Sequence, residues 1–259
     1  MVKVGRKMLQ RLEGKNSMSD IKKAVRFKAR LEEKQEYNSR FTKYSFELVE
    51  PHSLEFQAGQ YISIKVSEKG EMRAYSICSS PDIKHGFELL IDYSPNGVGV
   101  NYFKQLQLGE TSSMITGLGP VGRFVIDEEQ DEQEIVLVAA GSGVAPMMSI
   151  LLDLLQVKQD QRSITLYWGM RTADLLFWLE EFNLLGDTFA NFHFYPILSK
   201  PTPEWSLSRG RVCDLLLAHE FPPQTGFYLC GGRQMIVDTK QILIDKGVTP
   251  QYIHHEHFY

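Results

Sequence analysis

The sequence predicts two unlike domains in series, an antiparallel β-barrel followed by an open α/β domain built on a parallel sheet. Three observations predict it. Residues 25–126 carry short runs of alternating apolar and polar residues separated by turn residues, the pattern of several short strands in a small barrel. Ile135-Val136-Leu137-Val138-Ala139-Ala140 is an unbroken apolar run, as expected of a central parallel strand covered on both faces. Beyond it, strand-like and helix-like segments alternate, which in one sheet means crossover connections. The resulting division is a flexible tail at 1–23, a barrel at 24–129 and an α/β domain at 130–259.

The elements follow in order. The first 23 residues are polar and net basic, with Gly5, Gly14 and Asn16 breaking any period; a mobile tail is expected there, and Met18 offers an alternative start. Strand-like runs cover 41–49, 61–66, 72–77, 87–93 and 113–115. Pro51, Ala58-Gly59, Lys69-Gly70, Lys84-His85-Gly86 and Pro95-Asn96-Gly97 provide the turns between them. Residues 98–108 read as a short helix with Tyr102, Phe103 and Leu106 on one face. Residues 128–134 read as an acidic, solvated linker. Helices are expected at 146–155, 173–185, 212–218 and 234–246, the last closed by Gly247, with strands at 164–167, 192–198, 226–230 and 252–257.

Composition narrows the function classes. The chain has 259 residues, of which 43% are hydrophobic and 23% charged, enough apolar material for substantial cores. A net charge of -4 argues against bulk attraction to nucleic acid or anionic lipid. The three cysteines, Cys78, Cys213 and Cys230, are widely separated, which suits a reducing compartment and excludes a four-thiolate iron–sulfur cluster built by this chain alone. No apolar run reaches membrane-spanning length and no secretory signal is evident, so the expected location is the cytoplasm.

Arg73-Ala74-Tyr75-Ser76 places a cation, an aromatic ring and a hydroxyl on one extended segment. Arg73 and Tyr75 project to one face, Ala74 and Ser76 to the other. A phosphate-bearing aromatic ligand can use all three groups, although an edge-strand Arg beside a Tyr is also ordinary surface. Gly141-Ser142-Gly143-Val144-Ala145-Pro146 follows the first strand of the second domain and opens a helix. Such a turn lets backbone amides approach a phosphate; Pro146 stands where a third glycine often lies, and proline is comfortable in a first helical turn. Cys230-Gly231-Gly232-Arg233-Gln234-Met235 repeats the geometry after a later strand, with a thiol at the strand's carboxyl end, where ligands of open α/β sheets collect. A lone buried thiol that only fills space is the plain alternative.

Together with Gly119-Pro120-Val121-Gly122-Arg123-Phe124 and Tyr167-Trp168-Gly169-Met170-Arg171, these motifs resemble the ferredoxin–NADP reductase superfamily, in its order and spacings, from Val25 to Tyr259. The resemblance implies an FAD-binding β-barrel followed by a Rossmann-like, parallel-sheet NAD(P)-binding domain, with no iron–sulfur domain fused. It implies that Arg73, with Ala74 beside it, binds the flavin pyrophosphate, that Tyr75 packs on the ring system or ribityl chain, and that Ser76 bonds near the reactive nitrogen. The second phosphate turn matches Gly97-Val98-Gly99-Val100-Asn101; Val100 replaces the usual Ser or Thr, leaving backbone amides and Asn101 to hold the phosphate. Gly141, Ser142 and Gly143 match the nucleotide pyrophosphate loop, with Gly169, Gly231 and Met235 around it, and Cys230 matches the thiol beside the nicotinamide. Glu256, His257 and Phe258 fit the terminal pattern of a glutamate followed by an aromatic lid, with Tyr259 one residue beyond. A metal site at His254, His255, Glu256 and His257 is the rival reading of that segment, and strand alternation splits its ligands.

Ser76, Cys230 and Glu256 are then the expected catalytic residues. The cofactors are FAD and NADPH or NADH. Arg171, Lys200, Arg209 and Arg211 offer a cationic pocket for a 2′-phosphate, which leans the expectation toward NADPH. The expected activity is hydride transfer from NAD(P)H to FAD and single-electron delivery to a separate acceptor: a ferredoxin, a flavodoxin, an oxygenase or haem protein, or a small acceptor. The chain is expected to be a monomer. Two rivals are a relay subunit without turnover and a barrel used as an interaction module without flavin.

Overall fold

The computed structural model describes residues 24–109 and 113–257. The expected tail at 1–23 and the lid residues Phe258 and Tyr259 lie outside the described residues.

The first sheet is antiparallel and holds β1 (Val25–Glu36), β2 (Phe41–Glu50), β3 (Tyr61–Lys65), β4 (Met72–Ser76), β5 (Gly86–Asp92) and β6 (Met114–Val121), in the order β4-β3-β6-β1-β2-β5. The chain just past β4 returns to β5 through an Ile77–Leu89 bridge and a Cys78 amide bond to the Glu88 carbonyl of 2.9 Å. That contact nearly closes the sheet into a barrel, which removes exposed strand edges. β1 bends around the barrel at register shifts between Lys28 and Ala29 and between Leu31 and Glu33. Inside pack Phe27, Tyr44, Phe46, Ile62, Ile64, Phe87 and Leu89. The short helix α1 (Val98–Gln105) plugs one end, with the ring of Phe103 5.0 Å from Tyr44 and 4.9 Å from Tyr75.

The second sheet is parallel: β7 (Glu134–Ala140), β8 (Ser163–Met170), β9 (Phe192–Leu198), β10 (Ser208–Arg209), β11 (Thr225–Gly231) and β12 (Ile253–His257), in the order β10-β9-β8-β7-β11-β12. β7 lies centrally, and Ile135 to Ala139 are inaccessible, as their unbroken apolar character demands. Around the sheet pack α2 (Val144–Leu151), α3 (Leu179–Thr188), α4 (Val212–Ala218) and α5 (Arg233–Asp245). All eight residues of α2 are buried, and Pro146 in its first turn gives up an amide that has no helical partner in any case. α5 ends as the sequence predicts. Gly247 takes φ 86°, its amide reaches Ile244 O at 2.9 Å, and the Val248 amide reaches Leu243 O at 2.9 Å, a Schellman closure.

Several expectations change. The helix expected from residue 173 starts at Leu179, because Trp178 adopts left-handed backbone (φ 56°) to bury its indole and donate to the Tyr37 hydroxyl at 2.6 Å. The helix expected to run to 155 widens after Leu151 into a π-turn over Leu152–Val157. Strands β1 and β10 were not among the expected runs, and β6 continues past the expected 113–115 to Val121. The linker at 128–134 is not uniformly solvated: Glu132 is 4% exposed and bonded to Tyr228 and His254, each at 2.9 Å.

The two sheets share apolar core. Phe41, Ala58, Cys78, Leu90 and Phe124 of the first half pack with α2 and β7 of the second. Ser149 on α2 donates to Ser79 O at 2.7 Å across the boundary. At about 1.5–3 kcal/mol per large apolar side chain, this contact fixes the cleft at its rim.

Candidate functional site

β4 and β12 are edge strands of their respective sheets, and they face each other. Between them lies a cleft of about 470 Å³ lined by Tyr61, Met72, Arg73, Ala74, Ser76, His255, Glu256 and His257. Ser76 ends β4 at 5% exposure and donates across the cleft to Glu256 Oε2 at 3.4 Å. Cys230 sits beside Glu256 in the β11–β12 register and is wholly buried. The structure therefore brings together the three predicted catalytic side chains, which lie far apart in sequence. Burial raises the Glu256 carboxyl to about 7, with the Ser76 hydroxyl opposing the shift. Burial, and secondarily the Glu256 charge, push the Cys230 thiol well above its ordinary value. The Cys230 side chain is thus held as a neutral thiol.

The β4 side can hold a phosphate. A Cβ on Gly99 would lie 2.3 Å from the Tyr75 hydroxyl and 3.3 Å from Arg73 Cγ, so glycine there lets the start of α1 press against both side chains. Gly97 caps α1 in extended conformation, and no side chain caps the helix, leaving first-turn amides for a ligand. Val100 is 8% exposed: where the family pattern has Ser or Thr, an apolar group packs inward. Val98 is half-buried and Asn101 exposed. The Arg73 side chain is 49% exposed, bonding Met72 O at 2.8 Å and approaching Glu71 at 3.7 Å. Burial raises Tyr75 to about 12, so its phenol stays neutral.

On the α/β side, Gly141 takes φ 58° and its carbonyl accepts from Trp168 Nε1 at 3.0 Å, fixing the turn. Gly143 touches the end of β11: a Cβ there would lie 2.1 Å from Cys230 O. Gly231, at φ 157°, packs under Met235, whose Cε would meet an added Cβ at 2.6 Å. A second cleft of about 360 Å³ opens beside this turn, lined by Gly141, Gly169, Arg171, Ser199, Arg211, Met235 and others. Lys200 is exposed and held next to it by its amide bond to Arg171 O at 2.8 Å. Arg209 is placed differently. Its Nη2 donates to the carbonyls of Thr202, Pro203 and Trp205 at 3.3, 2.9 and 2.6 Å, clamping the loop before β10.

Two groups were missed from sequence. Arg40 lines the second cleft while forking onto Asp92 at 2.8 and 2.5 Å; nothing local marks it, since its position depends on the two halves meeting. Asp238 also lines this cleft, with Gln234 donating to it at 2.7 Å. The C-terminal histidines divide as alternation predicts: His254 bonds buried Glu132, while the rings of His255 and His257 lie 5.1 Å apart. Among the described residues no group of three or more metal-ligating side chains forms a metal site, and no helix is long and apolar enough to cross a membrane.

Comparison with known proteins agrees with this geometry. Residues 28–126 match the family model of the oxidoreductase FAD-binding domain, and residues 137–241 that of the oxidoreductase NAD-binding domain. The chain is 34% identical over 211 residues to the phenol hydroxylase P5 protein of Acinetobacter pittii, covering 79% of this chain and 58% of that protein. It is 29% identical over 207 residues to the anthranilate 1,2-dioxygenase electron transfer component of Acinetobacter baylyi, covering 79% and 59%. The chain thus spans little more than half the length of these curated relatives. Among solved structures, the cytochrome P450 reductase GcoB of Amycolatopsis superposes with a TM-score of 0.82 at 27% identity, covering 91% of this chain and 70% of that one. A ferredoxin NADP+ reductase from Neisseria gonorrhoeae with bound FAD and NADP shares the fold, with a TM-score of 0.77 at 23% identity, covering 92% and 100%. With both domain types in the expected order on a barrel and a parallel sheet that meet at Ser76, Cys230 and Glu256, this chain belongs to the ferredoxin–NADP reductase-like superfamily of FAD- and NAD(P)-binding oxidoreductases.

Proposed function

We propose that this protein takes a hydride from NAD(P)H onto FAD in the β4–β12 cleft and passes the electrons to a separate acceptor, the unit boundary lying near residue 130. The observation that carries this reading is the meeting of Ser76, Cys230 and Glu256 between two edge strands. Bound FAD supplies the two-electron to one-electron conversion, which no side chain can perform. The chain's part is to bind, orient and exclude water. Arg73, Ala74, Tyr75 and the amides of Gly97, Val98, Gly99, Val100 and Asn101 would hold the flavin and its phosphates. Gly141, Ser142, Gly143, Gly169 and Gly231, with Met235, would seat the nicotinamide nucleotide. Arg171, Lys200 and Arg211 are the cations that favour a 2′-phosphate and NADPH, since the guanidinium of Arg209 is engaged in its own loop. Phe258 and Tyr259 would cover the ring.

The acceptor class follows from relatives described as an electron transfer component of a dioxygenase and as a phenol hydroxylase protein: an oxygenase component, or a ferredoxin, flavodoxin or haem protein. Anaerobic rapid mixing tests the core of the proposal. The bound flavin is expected to bleach with NADPH, and more slowly with NADH; a spectrum that stays oxidised with both overturns it.

Glu256 carries a pH prediction. Below about 7 its carboxyl is protonated and can give a proton toward Ser76 Oγ; above that it is a carboxylate that only accepts. Flavin turnover is therefore expected to fall through an inflection near 7, and Glu256→Gln to remove the inflection and lower turnover about 10²-fold. Because the folded-state value is raised, stability is greatest below the ordinary carboxyl range and is lost as pH rises through the folded value. Thermal melts of Glu256→Gln should lack that loss.

A further inference from the structure

The last strand carries His254, His255, Glu256 and His257, and the reading above uses only Glu256. His254 is accounted for by its bond to Glu132. His255 and His257 line the β4–β12 cleft together with Arg73, Ala74 and Ser76. Nδ1 of His257 is buried and has no hydrogen-bond partner among the described residues. Buried polar atoms in native proteins are nearly always paired, so an orphan at a cleft wall marks a missing partner. An imidazole nitrogen can accept or donate according to its protonation, which suits a ligand whose charge changes.

We propose that His257 is a direct hydrogen-bonding contact of the flavin ring, and that flavin reduction draws a proton onto this imidazole. The inference rests on the FAD reading above. The balance is simple. A hydride brings two electrons and one proton, so the ring gains one negative charge; one further proton taken from solvent onto the His257 imidazole offsets it. The other titratable and charged groups that line the cleft with His257 are Arg73 on β4, Tyr61 on β3 and His255 and Glu256 on β12, with Lys240 of α5 acting on His255; Gly231 is opposite His257 on β11. Arg73 is the cation on the barrel wall, and at 49% exposure it is partly screened by water. Burial, then Lys240 and the neighbouring histidines, hold the His255 imidazole below its ordinary value, and the unpartnered Nδ1 singles out His257 of the pair.

The test is the midpoint potential of the bound FAD against pH in the holoenzyme, for wild type, His257→Asn, His257→Phe and Glu256→Gln. In the wild type the slope should steepen by about 30 mV per pH unit across the histidine range, the equivalent of one extra proton and a tenfold change per unit for a two-electron couple. His257→Asn should lose that segment while holding FAD, His257→Phe should also bind FAD about tenfold more weakly, and Glu256→Gln should keep the segment. A holoenzyme that bleaches with NAD(P)H but shows the same profile in His257→Asn overturns the proposal and leaves the FAD reading standing. Loss of the segment in Glu256→Gln instead assigns the proton to Glu256 and also overturns it. Protein that binds no FAD overturns both.

Discussion

Replacement of Gly143 by valine is expected to lower the rate at which NAD(P)H bleaches the bound flavin by about 10²-fold, the usual effect of an ångström-scale displacement at a reacting centre. Its backbone is ordinary, with φ -59°, so conformational strain is not the reason. The reason is space. An added Cβ would stand 2.1 Å from the Cys230 oxygen, 2.6 Å from its carbonyl carbon and 3.0 Å from the Gly231 nitrogen. All three atoms are backbone and cannot rotate away, so the turn and the end of β11 must separate. That separation moves the two features proposed above to seat the nicotinamide nucleotide, and overpacking of this kind also costs about 1–3 kcal/mol of stability. Gly232 is the internal control. Nothing lies within 4 Å of its added Cβ and its φ is -65°, so Gly232→Ala should reduce at nearly the wild-type rate. Stopped-flow traces and thermal melts of the two variants check the pair; equal rates would show that the Gly143–Cys230 contact does not position the site.

The same contact shows what was legible in the sequence. Gly143 and Cys230 could each be picked out, because a glycine turn after an apolar strand and a thiol before a glycine pair are local patterns. Their touching was not legible; it follows from the register of β7 with β11, which brings the turn against the end of β11. Tyr75 and Ser76 stand out as neighbours of Arg73 on one extended segment, whereas Glu256 was singled out only by the resemblance's terminal pattern. Glu132 was not: in a run of acidic residues nothing marks the one whose carboxylate turns inward, since its partners Tyr228 and His254 lie about a hundred residues away. Arg209 was misleading for a related reason. An arginine near a nucleotide pocket reads as a phosphate ligand, but its geometry is decided by three carbonyls of a loop that local periodicity does not describe. Trp178 shifted the start of α3 because burial of an indole outweighed helix propensity, a tertiary effect that overrides local preference.

His254→Ala is expected to destabilise the folded chain by about 1–3 kcal/mol, the range for leaving a buried polar group without its hydrogen-bond partner. Glu132 has no side-chain exposure, and its carboxylate is held by the Tyr228 hydroxyl and His254 Nε2, each at 2.9 Å. The fit is close: a Cβ on Gly226 would stand 2.3 Å from the Glu132 carboxyl carbon, so the carboxylate cannot swing that way when a partner is lost, and it faces the interior underpaired. The imidazole also stacks on Tyr228 at 4.4 Å and 18°, a contact worth a further 0.5 kcal/mol or roughly so. Denaturant melts should show a lower midpoint with unchanged slope. The control separates pairing from shape. Glu132→Leu combined with His254→Phe removes both buried polar partners together, and should recover most of the loss, because replacing both members of a buried hydrogen bond by apolar groups of similar shape is often nearly neutral. If the double variant is as unstable as His254→Ala, shape rather than pairing is the contribution of His254. If it recovers, the pair is retained for register: Tyr228 and His254 lie one pleat repeat before Cys230 and Glu256 on the same two strands, so a slip of β12 would carry Glu256 away from Ser76, and FAD turnover in the stable double variant would fall even though its fold was restored.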